Sequence, residues 1–120
     1  MFKIVKNEEI TNNEEINNVK IYESECYSLR ILSYNSGYKI ISISKINNEK
    51  NEYIPSVYIN QSFIDGCIDE IEIQTTSYGA RGISGIEKII LGYQVAIESV
   101  KEIKEILIQE KLLSKDYKEE

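Results

Sequence analysis

From Tyr27 to Tyr34 the chain is dense in aromatic, β-branched and aliphatic residues, Asn35-Ser36-Gly37 interrupts, and Tyr38-Lys39-Ile40-Ile41-Ser42-Ile43-Ser44 resumes the pattern. Two strand-length runs around a turn-forming tripeptide predict a β-hairpin. Upstream, Phe2-Lys3-Ile4-Val5 and Val19-Lys20-Ile21-Tyr22 flank a polar echo, Asn7-Glu8-Glu9-Ile10 and Asn13-Glu14-Glu15-Ile16. The echo is too short for a repeat architecture and reads as a loop or a weak helical turn. Downstream, the polar stretch Asn47 to Asn51 leads into a strand over Tyr53 to Ile59. Pro55 has no N–H to give a ladder, which predicts an edge or a bulge there. From Glu70 to Thr76 the alternation is strict: Ile71, Ile73 and Thr75 share one face, Glu70, Glu72, Gln74 and Thr76 the other. One face of this sheet therefore meets a core.

The period then changes. Ser84-Gly85-Ile86-Glu87 has the spacing of a capping box, and Ile86, Ile89, Ile90, Tyr93, Ile97 and Val100 follow at helical intervals. Ile103, Ile106, Leu107, Leu112 and Leu113 continue the pattern through a charged second half, as one long helix or as two with a bend between Glu98 and Glu105. The fold class is α+β: an N-terminal antiparallel β-sheet over roughly residues 19–80, then a C-terminal helical region over roughly residues 84–113, in one domain of 120 residues. Leu91, Val95, Ala96 and Ile108 lie off the main helical stripe. That surplus of apolar surface predicts a homodimer or higher homo-oligomer packed through the helices, because a two-fold axis lets one patch complement itself. A helical hairpin folded onto the sheet is the monomeric alternative.

Charge narrows the partners. A formal net charge of -6 leaves no basic footprint for nucleic acid or an anionic membrane surface, so an anionic ligand needs a local positive site. No apolar run approaches membrane-span length and the first residues lack a signal-like apolar region, which predicts a soluble intracellular protein. Cys26 and Cys67 have no metal-ligand spacing and read as reduced and buried thiols. The chain has no histidine, so the usual general base, triad partner and transition-metal ligand are all missing. Adjacent acids at Glu8-Glu9, Glu14-Glu15 and Asp69-Glu70 read as solvated surface, and Asp65 and Asp69 around Gly66 lack calcium-loop spacing. A non-catalytic protein without metal or cofactor is expected.

The strongest candidate for ligand chemistry is Tyr78-Gly79-Ala80-Arg81-Gly82-Ile83-Ser84-Gly85, a glycine-rich passage from strand pattern to helix pattern. Unpaired N–H groups at a helix start, close backbone approach at glycine and one of only two guanidiniums together suit a phosphate. Glycines at such a turn also serve backbone geometry alone. Tyr53, Tyr58 or Tyr78, among nine tyrosines, would add ring faces for a base.

The arrangement of an N-terminal run of strands, Ile54-Pro55-Ser56-Val57-Tyr58-Ile59-Asn60, a strand ending in Thr75-Thr76-Ser77-Tyr78-Gly79, and a C-terminal helical region resembles the first family of phage Thoeris anti-defence proteins. The resemblance spans roughly residues 19–110 and rests on pattern more than on an invariant motif. It implies a sponge: a protein in the cytoplasm of the infected bacterial host that binds a cyclic ADP-ribose isomer (glycocyclic ADP-ribose) made by the Thoeris TIR enzyme. Holding that signal uncleaved prevents activation of the NAD-degrading effector. The resemblance further implies nucleotide pockets at subunit interfaces, and in some members a second site for cyclic oligonucleotides. On this chain it places Tyr78, Gly79 and Arg81 beside the ligand and Asn60 on adenine or ribose, with Tyr58 and Thr76 as weaker contributors. Arg30 is the one obvious guanidinium left for a second site, which puts that activity in doubt. The rival reading, drawn from charge alone, is an acidic inhibitor that binds a basic protein as a nucleic-acid mimic.

Overall fold

Six strands, a short 3-10 helix at Glu49–Asn51 and one α-helix are present in the computed structural model, which describes residues 1–75 and 82–118. Strands β1 (Lys3–Glu9), β2 (Ile16–Glu23), β3 (Tyr27–Tyr34) and β4 (Lys39–Lys45) form an antiparallel meander in the order β1-β2-β3-β4. The hairpin expected around Asn35-Ser36-Gly37 is the β3–β4 connection, where Gly37 takes a φ of 91 and its N–H donates to Tyr34 O. Strands β5 (Val57–Gln61) and β6 (Ile68–Ile73) make a second antiparallel pair. No ladder joins β4 to β5. The Gln61 side chain does so instead, donating to Lys39 O at 2.6 Å and accepting from the Ile41 N–H at 3.3 Å.

Helix α1 (Gly82–Gln109) is continuous, which settles the choice between one helix and two. It starts at Gly82, so Ser84 sits inside the first turn and not at the cap position that its spacing suggested. It also stops at Gln109: Lys111 adopts a φ of 60, the left-handed conformation that ends helices, and the Leu112 N–H donates back to Leu107 O. Leu112 and Leu113 thus belong to a return segment that runs beside β6. A second correction concerns Asn7-Glu8-Glu9, which is the end of β1 and not a turn. Every β1 residue is exposed, so no alternation marks it in the sequence.

One core fills the space between sheet and helix. Tyr22, Leu29, Ile31, Ile41 and Ile68 from the strands meet Ile103, Ile106 and Leu107 of α1, with Leu112 closing one end. Ile103 and Leu107 are fully buried, each contributing about 1.5–3 kcal/mol of transfer free energy. Tyr27, Ile54 and Val57 form a smaller cluster beside it. Pro55 precedes β5, and its carbonyl accepts from the Tyr27 hydroxyl. Burial pushes the Tyr27 phenol far up, so it stays protonated and donating.

The end of α1 is clasped to β2. Glu110 lies 2.7 Å from Lys20 Nζ and accepts from the Tyr22 hydroxyl at 2.9 Å, with both charged side chains mostly buried. Burial pushes the Glu110 carboxyl up, yet the hydrogen bonds from Lys20 and Tyr22, with the Lys20 charge, hold it below the usual carboxylate range. The hydrogen bond with Glu110 in turn raises Lys20 above the ordinary lysine value, against the opposing effect of its burial. A depressed native carboxyl contributes stability that is present at neutral pH and lost as pH falls through its lowered value; the raised lysine contributes until pH rises through its own. Glu110→Gln is therefore expected to lower stability at neutral pH by about 1–3 kcal/mol. Urea titrations should show the gap to the parent closing in strong acid, where the parent's carboxyl is protonated too.

Candidate functional site

Strand β6 is a sheet end with a partly open edge. Its Gln74 neighbour donates an N–H to Ser56 O on the β5 side, so strand alternation turns the main-chain groups of Ile71 and Ile73 outward. The return segment uses only the start of that edge: Ile68 N–H donates to Leu112 O, Ser114 N–H to Ile68 O and Lys118 N–H to Asp69 O, at 2.7, 2.9 and 2.8 Å. Beyond Asp69, a groove of about 950 Å³ separates the β6 edge from α1. Ile97, Val100, Lys101, Lys104, Glu105 and Ile108 form the helical wall, and Tyr117 and Lys118 contribute from the return segment.

The helical wall mixes charges, Glu105 lining it together with Lys101 and Lys104. Three lysines approach from the helix and the return segment, and Lys104 Nζ sits 4.9 Å from the centroid of the Tyr117 ring. Glu70 and Glu72 border the groove on β6, but they pair in register with Asn60 and Tyr58. Their side chains therefore take the face opposite Ile71 and Ile73. Lys101 also pairs with Glu98 on the exposed helix surface at 3.3 Å, an i,i+3 contact of small energetic weight. Isoleucine and valine side chains, three ammonium groups and the Tyr117 ring suit an anionic molecule carrying a flat ring, with the Glu105 carboxylate opposing it on the helical wall. The groove's volume lies within the usual range for small-molecule sites.

The residues that the sequence nominated fall elsewhere. Tyr58 and Asn60 sit on β5 with exposed side chains on the sheet face away from the groove. The Tyr58 hydroxyl reaches Gln74 at 3.4 Å and the Asn60 amide donates to Asp69 at 2.9 Å. With Glu70 and Glu72 as register partners, that face is acidic and unsuited to a pyrophosphate. Thr76, Tyr78, Gly79 and Arg81 lie outside the described residues. Arg30 is exposed on β3. The sequence reading missed Lys101, Lys104, Tyr117 and Lys118; its available signal was the i,i+3 lysine pair lying between Ile97 and Ile108 on one helix. The pairing of the return segment with β6 had no local signal.

Neither thiol is set up for nucleophilic work. Burial, with the Glu25 charge, raises Cys26, which donates to Asn51 Oδ1 at 3.5 Å; burial and the Asp65 charge raise Cys67. Both changes disfavour the reactive thiolate. Among the described residues no group of three acidic or thiol side chains is placed to hold a metal ion, and no helix is long and apolar enough to cross a membrane.

Comparison with known proteins finds no family model that matches the chain, no matching curated protein and no matching solved structure.

Proposed function

We propose that the protein sequesters an anionic, nucleotide-like signal, and that the signal is a cyclic ADP-ribose isomer bound without cleavage in the cytoplasm of an infected bacterium. The observation that carries this reading is the α1–β6 groove, with Ile71, Ile73, Ile97, Val100 and Ile108 for a base, three lysines that outnumber the one helical carboxylate, Glu105, for a pyrophosphate, and the Tyr117 ring. The glycine-rich passage with Arg81 follows β6 directly in sequence and leads into α1, the two elements that wall the groove. The resemblance to the Thoeris anti-defence family supplies the particular ligand.

The reading includes assembly. Ile86, Ile90, Ile97 and Ile108 are all about half exposed and fall within about 40° of one another around an ideal helix. This stripe runs into the groove through Ile97 and Ile108. A second copy packed on it would bury the stripe and roof the groove, ordering the site before the ligand arrives.

The test mixes purified protein with the cyclic ADP-ribose signal from an active TIR enzyme, removes protein by filtration, and assays effector activation before and after heating the complex. Loss of activation followed by full recovery is the expected result. Loss without recovery would mean cleavage, and no loss would end the sponge reading. Arg81→Ala is expected to weaken capture about tenfold, the scale of one charge-assisted hydrogen bond, while sedimentation shows assembly unchanged.

A further inference from the structure

The hairpin between β5 and β6 holds two large apolar side chains in water. Phe63 and Ile64 are 96% and 98% exposed, more than any other apolar residue in the described chain. They do not sit on a slack loop. The Gly66 N–H donates to Ser62 O, the Ser62 N–H to Cys67 O, the Ile64 N–H to Ser62 Oγ and the Cys67 N–H to Asp65 Oδ1. Gly66 closes the turn with a φ of 73, a conformation that disfavours other residues, and its carbonyl accepts from Gln61 Nε2 at 2.8 Å. Because the same Gln61 amide also holds β4, the tip is tied to the sheet.

The tip has a neighbour of matching character. The Tyr38 ring, 42% exposed, lies 3.5 Å from where a Gly66 side chain would begin, and Ile40 two residues on is also exposed. Asp65 lies in the turn itself, while Asp69, Glu70 and Glu72 follow on β6. No lysine or arginine occurs between Ser62 and Glu72, and among the described residues the one cation beside the tip is Lys39, next to Tyr38 on β4, so acids outnumber it.

We propose that Phe63 and Ile64, with Tyr38 beside them, anchor a protein partner that presents an apolar cleft rimmed by basic side chains. Exposed aromatic and aliphatic anchors on a fixed backbone are what interface hot spots require, because little order is lost when they bury. The acidic surround selects the occupant. An anionic membrane surface would be repelled by it. A second copy of this chain, at net charge -6, would oppose acid to acid at the same tip. This surface lies apart from the groove and adds to the sequestration reading without depending on it.

The probe is a fluorescent amphipathic helical peptide with leucine on one face and lysine flanking it, titrated by anisotropy, beside the same design with glutamate for lysine. Saturable binding of the lysine peptide, at least tenfold weaker in Phe63→Ser/Ile64→Ser and unchanged in the exposed control Ile4→Ser, is the expected result. Equal binding by the parent and the tip variant, or equal preference for the two peptides, would overturn the proposal. So would tip-dependent cosedimentation with phosphatidylglycerol vesicles, which would make the tip a membrane wedge, or tip-dependent self-association, which would make it a contact between copies. Both tip residues are almost fully exposed, so unchanged melting of the variant is the check that the loss reads the surface.

Discussion

Gly92→Ala is expected to destabilise the protein by at least about 2 kcal/mol, although alanine is the better helix former by about 1 kcal/mol. Gly92 is buried in the middle of α1, where a β-carbon would stand 2.2 Å from Tyr53 O and 2.9 Å from Tyr53 C. Both are backbone atoms, so no rotamer change relieves the clash. The segment carrying them is also fixed: Asn51 donates to Glu25 O and Ile46 O at 3.0 and 2.8 Å, Lys45 Nζ to Ile54 O at 3.0 Å, and the Tyr27 hydroxyl to Pro55 O. Accommodating one methyl means lifting α1 from the sheet or breaking part of that network. Calorimetry should show a melting temperature lower by about 8 °C or more for a domain of this size. A variant as stable as the parent would show that the close approach of helix and loop is not a structural requirement.

Reversing two charges in the groove should have the largest effect on capture. Lys101→Glu/Lys104→Glu is expected to weaken retention of the cyclic ADP-ribose isomer by at least a hundredfold, since each lysine lost removes a charge-assisted hydrogen bond worth about 1.5–3 kcal/mol. Lys101 contributes little to stability, being exposed and in a weak surface pair with Glu98, whereas Lys104→Glu also removes the cation over the Tyr117 ring, so urea titration of the variant is read beside capture. Equilibrium dialysis against labelled ligand, with Arg30→Ala as a control on a distant strand, measures the effect. If the double variant retains ligand as well as the parent does, the groove is not the site. The acidic face around Tyr58 and Asn60 would still be a poor alternative.

The sheet was legible where its strands have one wet face and one dry face. β3 and β4 bury Leu29, Ile31 and Ile41 on alternate positions around an Asn-Ser-Gly turn, and both the period and the turn chemistry are written locally. β6 shows the same alternation, but the strand ends at Ile73 where the pattern runs on to Thr76. β1 escaped because an edge strand with every residue exposed needs no alternation, and its Asn7-Glu8-Glu9 end resembles a loop. A surplus of apolar helical surface is present, but only in part where the sequence put it: Ile86, Ile90 and Ile97 of the expected core stripe are exposed along with Leu91 and Ile108, whereas Ala96 is fully buried and Val95 packs against the core.

The candidate site was less legible because its walls come from distant parts of the chain. Tyr58 was attractive as a ring face for a base and Asn60 through the resemblance, whereas strand alternation turns them to the face opposite α1. Lys101 and Lys104 looked like ordinary surface of a charged helix until that helix lay beside the β6 edge.

The sequence by itself determined the α+β class with strands before helix, the main hairpin and the absence of histidine, because periodicity, turn residues and composition act over a few residues at a time. Only the tertiary structure decided that α1 is one unbroken helix, that Leu112 to Lys118 return alongside β6, and that a lysine-walled groove opens between them. Those outcomes depend on which surfaces meet: Gly92 against the Tyr53 carbonyl, Glu110 against Lys20, Ile68 against the return segment. Contacts between residues far apart in the chain leave no period in the sequence, so they become visible only when the chain has closed on itself.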